Sequence, residues 1–256
     1  MLGILLPDTC RLCFHQLDHF SRIPVCPRCL NSVQPLAPEY ACLRCNTPFL
    51  NSRPLGENGV CLMCSSGAHR FQAAYSFGAY EGPLREFIHL LKFERVTPLG
   101  PVLARLLVSA LPREQPVDAV VPVPLHWRRR LSRGFNQAEL LARAAAALLH
   151  VPCHDPLRRT CPTPPQAGLN RLARRRNVRS AFTAGNARNV EGRSLLLIDD
   201  ILTTGATANA CAAALLAAGA RHVSVATVAR ADRRIRLEAF LEPMPSPDLS
   251  LAKGAS

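Results

Sequence analysis

Two adjacent carboxylates, Asp199 and Asp200, follow the apolar run Leu195–Ile198. A turn bearing threonine and glycine, Thr203-Thr204-Gly205-Ala206-Thr207, comes next. Backbone N–H groups at the start of a helix attract phosphate, Thr203, Thr204 and Thr207 add hydroxyl donors, and Gly205 permits close backbone approach. Carboxylates repel a phosphate set directly against them, yet they accept hydrogen bonds from a vicinal diol one sugar length away. An acid pair followed by a phosphate turn therefore fits ribose 5-phosphate. The turn has neither the Gly-Lys-Ser/Thr of a Walker A loop nor a G-x-G-x-x-G pattern. A generic strand-to-helix turn with threonine caps accounts for the threonines but gives the two acids no task. The element pattern expected here is a strand ending at Ile198 and a helix beginning near Ala206.

A second cluster of chemistry lies in the first quarter of the chain. Eight of the eleven cysteines form four C-x-x-C pairs: Cys10/Cys13, Cys26/Cys29, Cys42/Cys45 and Cys61/Cys64, separated by 12, 12 and 15 residues. A C-x-x-C turn aims two thiolates at one point, and two such turns complete a tetrahedral zinc site. Four pairs exceed what a redox dithiol needs, and no βαβ context surrounds them, so two closed structural zinc sites are expected. First-with-second and third-with-fourth pairing is the simpler topology, and a cross-braced arrangement is the alternative. Cys153, Cys161 and Cys211 stand outside the pattern, and Cys211, in an alanine-rich stretch, reads as a small core residue.

These residues need elements to hold them. SFGAY, DAVVPVP, SLLLI and HVSVATVA read as strands, and GPLREFIHLLKF, QAELLARAAAALL and ATANACAAALLAAGA as helices. That alternation predicts an α/β domain with a parallel sheet. The expected organisation is a Cys-rich zinc-ribbon module over 1–68, the α/β domain over 69–232 and a disordered tail over 233–256. With 256 residues, 48% of them hydrophobic, the chain can bury a full core. No apolar stretch reaches the length of a membrane span, and the cysteine usage suits a reducing compartment, so a cytoplasmic protein is expected. Lys and Arg number 31 against 18 Asp and Glu, a net charge of +13. Mostly arginine, this excess favours polyanionic partners, phosphates or nucleic acid, although a basic face is also an ordinary solubility device.

IDDILTTGAT is similar to the 5-phosphoribosyl-1-pyrophosphate (PRPP) motif of type I phosphoribosyltransferases. That resemblance implies that Asp199 and Asp200 read the ribose hydroxyls while Thr203, Thr204, Gly205, Ala206 and Thr207 cradle the 5′-phosphate. PVPLHWRRRLSRGFNQAELLA (122–142) and TPPQAGLNRLARRRNVRSAF, which ends at Phe182, narrow it. With the cysteine-rich start, they resemble the ComF family of competence-associated, phosphoribosyltransferase-like proteins, over about residues 5 to 231. The family often has an acid where this chain has Ala173. Lys92 matches a lysine that recurs in the family, as a ligand contact or as an ordinary helix-end residue.

Between Leu125 and Arg179 twelve arginines are offset only by Glu139 and Asp155. The resemblance makes Arg128 and Arg133 candidates for pyrophosphate. Arg171, Arg174, Arg175, Arg176 and Arg179 are candidates for a mobile hood or for a single-stranded nucleic-acid backbone. It implies PRPP or a nucleotide as ligand, Mg²⁺ accompanying PRPP, and two zincs. It also implies a cytoplasmic role in handling incoming single-stranded DNA during natural transformation, with a DNA-uptake helicase or DNA-processing proteins as partners. The alternative is an active phosphoribosyltransferase with an acceptor of unknown identity. Glutamine amidotransfer is not expected, because that chemistry uses an N-terminal cysteine nucleophile and this chain begins Met1-Leu2.

Overall fold

The computed structural model of the protein describes residues 9–17, 22–125, 134–159, 182–185 and 187–231. The cysteine-rich part carries the short elements α1 (Pro27–Leu30), β1 (Tyr40–Ala41), β2 (Pro48–Phe49) and α2 (Leu62–Ser65). β3 (Ala73–Ala79), α3 (Gly82–Phe93), α4 (Leu99–Ser109), β4 (Ala119–Pro122) and α5 (Gln137–Leu149) follow. Then come β5 (Leu157–Arg159), β6 (Phe182–Ala184), β7 (Ser194–Leu202), α6 (Ala206–Ala217) and β8 (His222–Arg230).

A parallel sheet with helices on both faces must bury both sides of its strands, which is why these strands read as unbroken apolar runs. Four of them form one sheet in the order β3-β8-β7-β4, and every pairing is parallel. Ala119, Val121, Leu195, Leu197, Val223 and Val225 face one core with Ala208, Cys211 and Leu215 of α6. The alternate residues Val120, Leu196, Ile198, Ala226 and Val228 face the other core, with α3, α4 and α5. The α/β class read from the sequence is the class observed. α4 was absent from that reading; Leu99, Leu103, Ala104 and Leu107 recur at helical spacing and are fully buried. The antiparallel β5–β6 pair was absent as well.

β7 also corrects the expectation that its strand stops at Ile198. It continues through Asp199 and Asp200 to Leu202, because β8 supplies partners for it as far as Arg230. β4 ends earlier, at the pair Pro122↔Ile198. From β4 the chain passes through α5 to Cys153, which bridges Val120 on the outer edge, whereas β7 connects through α6 to β8 on the inner side. The connections diverge between β4 and β7, the switch point where open α/β sheets bind ligands at their carboxyl ends.

The cysteines pair sequentially. Cys10, Cys13, Cys26 and Cys29 form one group and Cys42, Cys45, Cys61 and Cys64 another, with the sulfurs of each group within 4.8 Å of one another. Each group could hold a zinc ion, and the donor set fits thiolate ligation. The backbone N–H of Cys26 donates to Cys10 Sγ at 3.3 Å, and that of Cys61 to Cys42 Sγ at 3.2 Å. Burial raises the Cys10 thiol, but backbone donors, those of Cys13 and Cys26 foremost, outweigh it and bring its pKa down to about 6. Cys42 is brought down to about 7 in the same way. Burial and the neighbouring sulfurs push the Cys29 and Cys64 thiols up.

The two groups sit against opposite faces of the sheet, Cys10 in the core with α3 and the Cys42 group in the core with α6. Arg44, inside the third C-x-x-C pair, donates to the carbonyl of Phe71 at 2.9 and 3.0 Å and to that of His69 at 3.1 Å. Buried Arg230, the last residue of β8, donates to the Cys45 carbonyl at 2.7 Å and also to Thr47 Oγ1. Both arginines spend their charge on backbone oxygens, a use that net-charge counting does not reveal.

Two outcomes check this arrangement. Anaerobically purified protein is expected to contain two zinc ions per chain by metal analysis, and Cys45→Ser to lose one while retaining the other. Arg44→Met removes charge-assisted bonds to carbonyls, which contribute about 1.5–3 kcal/mol each, so urea unfolding should show a loss of about 2 kcal/mol or more.

Candidate functional site

The acid pair lies where β7 outruns β4. In a parallel ladder, residues two apart point their N–H and C=O groups to the same side. Val123 N–H donates to Ile198 O at 2.9 Å, which turns the N–H of Asp200 toward the β4 side, past the end of that strand. Asp199 Oδ1 takes this orphaned donor at 2.9 Å. The first acid thereby closes the sheet edge and fixes its own carboxylate.

Alternation along β7 sends the two side chains to opposite layers. Asp200 lies on the α3 side, where Lys92 Nζ sits 2.8 Å from its Oδ2, with the two side chains only 12% and 13% exposed. Asp199 lies on the α6 side, close enough to the fully buried Cys211 to push that thiol's pKa further up. Burial, then the charge of Asp200, raise the Asp199 carboxyl to about 7; the Asp200 N–H and Lys92 pull against that rise without cancelling it. Sequence reasoning placed both acids in one role, and the structure gives them different surroundings.

The turn that follows carries the backbone donors. Gly205 is the N-cap of α6 with φ of +72°, a left-handed conformation that costs any residue with a Cβ. Thr203 and Thr204 are exposed, Thr207 and Ala206 half-buried, and Thr204 Oγ1 accepts from Ala206 N–H at 3.4 Å. No acidic residue occupies the first turn of α6. The candidates Asp199, Asp200, Thr203, Thr204, Gly205, Ala206 and Thr207 thus form one continuous edge at the switch point. β4 meets this edge through Asn136, whose Nδ2 donates to Val123 O at 3.1 Å while its Oδ1 caps α5 at Ala138 N–H.

Two neighbours of the turn escaped the sequence reading. The His69 ring stacks on Phe71 with centroids 4.7 Å apart, and its Cε1 would lie 3.5 Å from a Cβ at position 205. The N–H of Arg70 donates to Asn209 Oδ1 on α6. The segment leaving the second cysteine group is therefore packed on the turn, a long-range contact with no local signal. Arg128 and Arg133 lie outside the described residues, as do Arg171, Arg174, Arg175, Arg176 and Arg179, Cys161 and the 233–256 tail.

No family model matches the chain. The DNA utilization protein YhgH of Escherichia coli (strain K12) is 32% identical over 232 residues, which is 87% of this chain and 96% of that protein. Competence protein F of Haemophilus influenzae is 33% identical over 162 residues, 60% of this chain and 71% of that one. Competence protein ComFC of Bacillus subtilis is 30% identical over 190 residues, 71% and 76% of the two chains. Among solved structures, the glutamine phosphoribosylpyrophosphate amidotransferase from B. subtilis complexed with ADP and GMP matches 51% of this chain at 22% identity. The match spans only 26% of that chain, with a TM-score of 0.36, and is too remote to carry an inference. Coverage of more than two thirds of each relative at 30–33% identity, two Cys₄ groups and a parallel sheet whose strand β7 carries Asp199 and Asp200 agree on one assignment: the chain belongs to the ComF family.

Proposed function

We propose that the protein binds the ribose 5-phosphate part of PRPP or of a nucleotide at the carboxyl edge of β7, and that it serves the cytoplasmic handling of single-stranded DNA. The observation that carries the ligand reading is the succession at one sheet edge of two carboxylates, a glycine-capped turn and the acid-free first turn of α6. Diol hydroxyls donate to the acids and phosphate oxygens accept from the turn, so a single sugar phosphate satisfies both ends. Mg²⁺ enters on this reading with the pyrophosphate of PRPP, and the cysteine groups hold zinc. The relatives named for competence and DNA utilization support the DNA role. Arg128 and Arg133 are proposed for pyrophosphate, and the arginines from Arg171 to Arg179 for the DNA backbone.

Replacing Asp199 and Asp200 together by Asn is expected to cost about 3 kcal/mol in ribose 5-phosphate binding, roughly a hundredfold in Kd by calorimetry. Equal affinity in the double variant would refute the site.

The raised Asp199 carboxyl also fixes the direction of the pH dependence. Protonated, it loses acceptor capacity; ionised, it accepts the diol. Affinity for ribose 5-phosphate should therefore increase as pH rises through about 7. The second ionisation of the phosphate ester, near 6, acts in the same direction, so 2-deoxyribose 5-phosphate, which carries the same ester but no vicinal diol, is the control, and only ribose 5-phosphate should show the later rise.

For single-stranded DNA, log Kd against log salt should be steep, and Arg174, Arg175 and Arg176 changed to Ala should reduce the slope by about two. Salt-independent binding would contradict the arginine track.

A further inference from the structure

Lysine is rare in this chain. Of its 31 Lys and Arg residues only Lys92 and Lys253 are lysines. The cation set against the acid pair is one of these two, although arginine is used almost everywhere else. The difference is chemical. A guanidinium is a planar fork that engages both oxygens of a carboxylate, whereas an ammonium is a point donor that takes one. Lys92 Nζ lies 2.8 Å from Asp200 Oδ2, and among the described residues no other donor is bonded to the Asp200 carboxylate. On Asp199, Oδ1 is occupied by the Asp200 N–H. One oxygen on each acid is thereby held by the protein, and one on each is left to accept.

We propose that Lys92 is the positioning residue of the ribose site: its single-point contact fixes Asp200 through one oxygen and leaves the other for a ligand hydroxyl. This rests on the ribose 5-phosphate reading above. The ammonium has a second effect, since it also opposes the retention of a proton by Asp199. Among the described residues, the groups acting electrostatically on Asp199 are Asp200 on its own strand, Lys92 from the α3 side and Cys211 from α6, with Arg159 of β5 acting on that thiol. β8 offers only the neutral Thr227 opposite it. Lys92 is the cation among those acting directly on the pair.

The test uses the full-length chain with Lys92→Met, which removes the charge, and Lys92→Arg, which keeps the charge but supplies the fork. Carboxyl NMR of the ligand-free protein should show the Asp199 midpoint moving up by about one pH unit in Lys92→Met and holding in Lys92→Arg. Calorimetry with ribose 5-phosphate should show Lys92→Met weakened near pH 9, where Asp199 is ionised and only the fixing of Asp200 is lost, and about tenfold further near pH 7. Lys92→Arg should be weakened about tenfold at both, because its fork closes the second oxygen. A purely structural role would weaken both variants equally at every pH and leave the midpoint unmoved, which overturns the proposal. Lys92→Arg binding as tightly as the unmodified protein overturns it too. If the unmodified protein binds no ribose 5-phosphate while the midpoint moves as expected, the ribose reading itself fails. An unmoved midpoint with intact binding in the unmodified protein overturns the role of Lys92 alone.

Discussion

A strand paired on both sides and buried on both faces turns successive side chains to opposite helix layers, and β7 carries this rule past its apolar residues into Asp199 and Asp200. Two like charges on neighbouring residues are thereby split between two environments. Asp200 meets a cation on the α3 side, while Asp199 is left on the α6 side beside a buried thiol. The early end of β4 adds the remaining condition, an orphaned N–H that Asp199 accepts. The site follows from three strand lengths: a long β7, a β8 long enough to support it and a short β4.

The cysteine groups serve the same edge from outside the sheet. The second is fastened at both ends of its contact, by Arg44 to the carbonyls that lead into β3 and by Arg230 back to Cys45. Ala231 N–H then donates to Leu202 O, so the last residues of β8 and β7 are locked together beside that group. The first group lies across the sheet and touches α3 through Arg11 and Glu94, an exposed pair at 3.9 Å whose own contribution is small. Burial of Cys10 and Val25 against the α3 layer does more to hold it there. Since the last turn of α3 carries Lys92, the placement of the helix matters to the acid pair.

What the sequence made legible was local chemistry. C-x-x-C turns and the succession of acids, glycine and threonines need only neighbouring residues, and both the sequential cysteine grouping and the helix start at Ala206 were read from them. The end of β7 was misread because polar residues after an apolar run resemble a strand terminus, while its continuation depends on β8, more than twenty residues away. α4 was missed although its leucines are periodic, because Gly100 and Pro101 near its start resemble a turn. The closest approach, Gly100 under Leu140 of α5, explains that glycine only in three dimensions. Lys92 was noticed as a residue type, but its partner lies 108 positions on and no spacing rule connects them. The stacking of His69 beside Gly205 is hidden for the same reason.

The acid pair also bears on how one protein accommodates two anionic ligands. In a chain of net charge +13 a general polyanion is attracted everywhere except where carboxylates concentrate. A DNA backbone has phosphodiesters and no 2′-hydroxyl, so it offers Asp199 and Asp200 repulsion and no vicinal diol to bond. A ribose 5-phosphate offers both halves of what the edge accepts. On the proposed reading, sugar phosphate and nucleic acid therefore occupy different surfaces, and the carboxylates exclude DNA from the ligand edge as effectively as they admit the diol. The same two carboxylates that repel a phosphate set directly against them would then keep the two kinds of phosphate ligand apart.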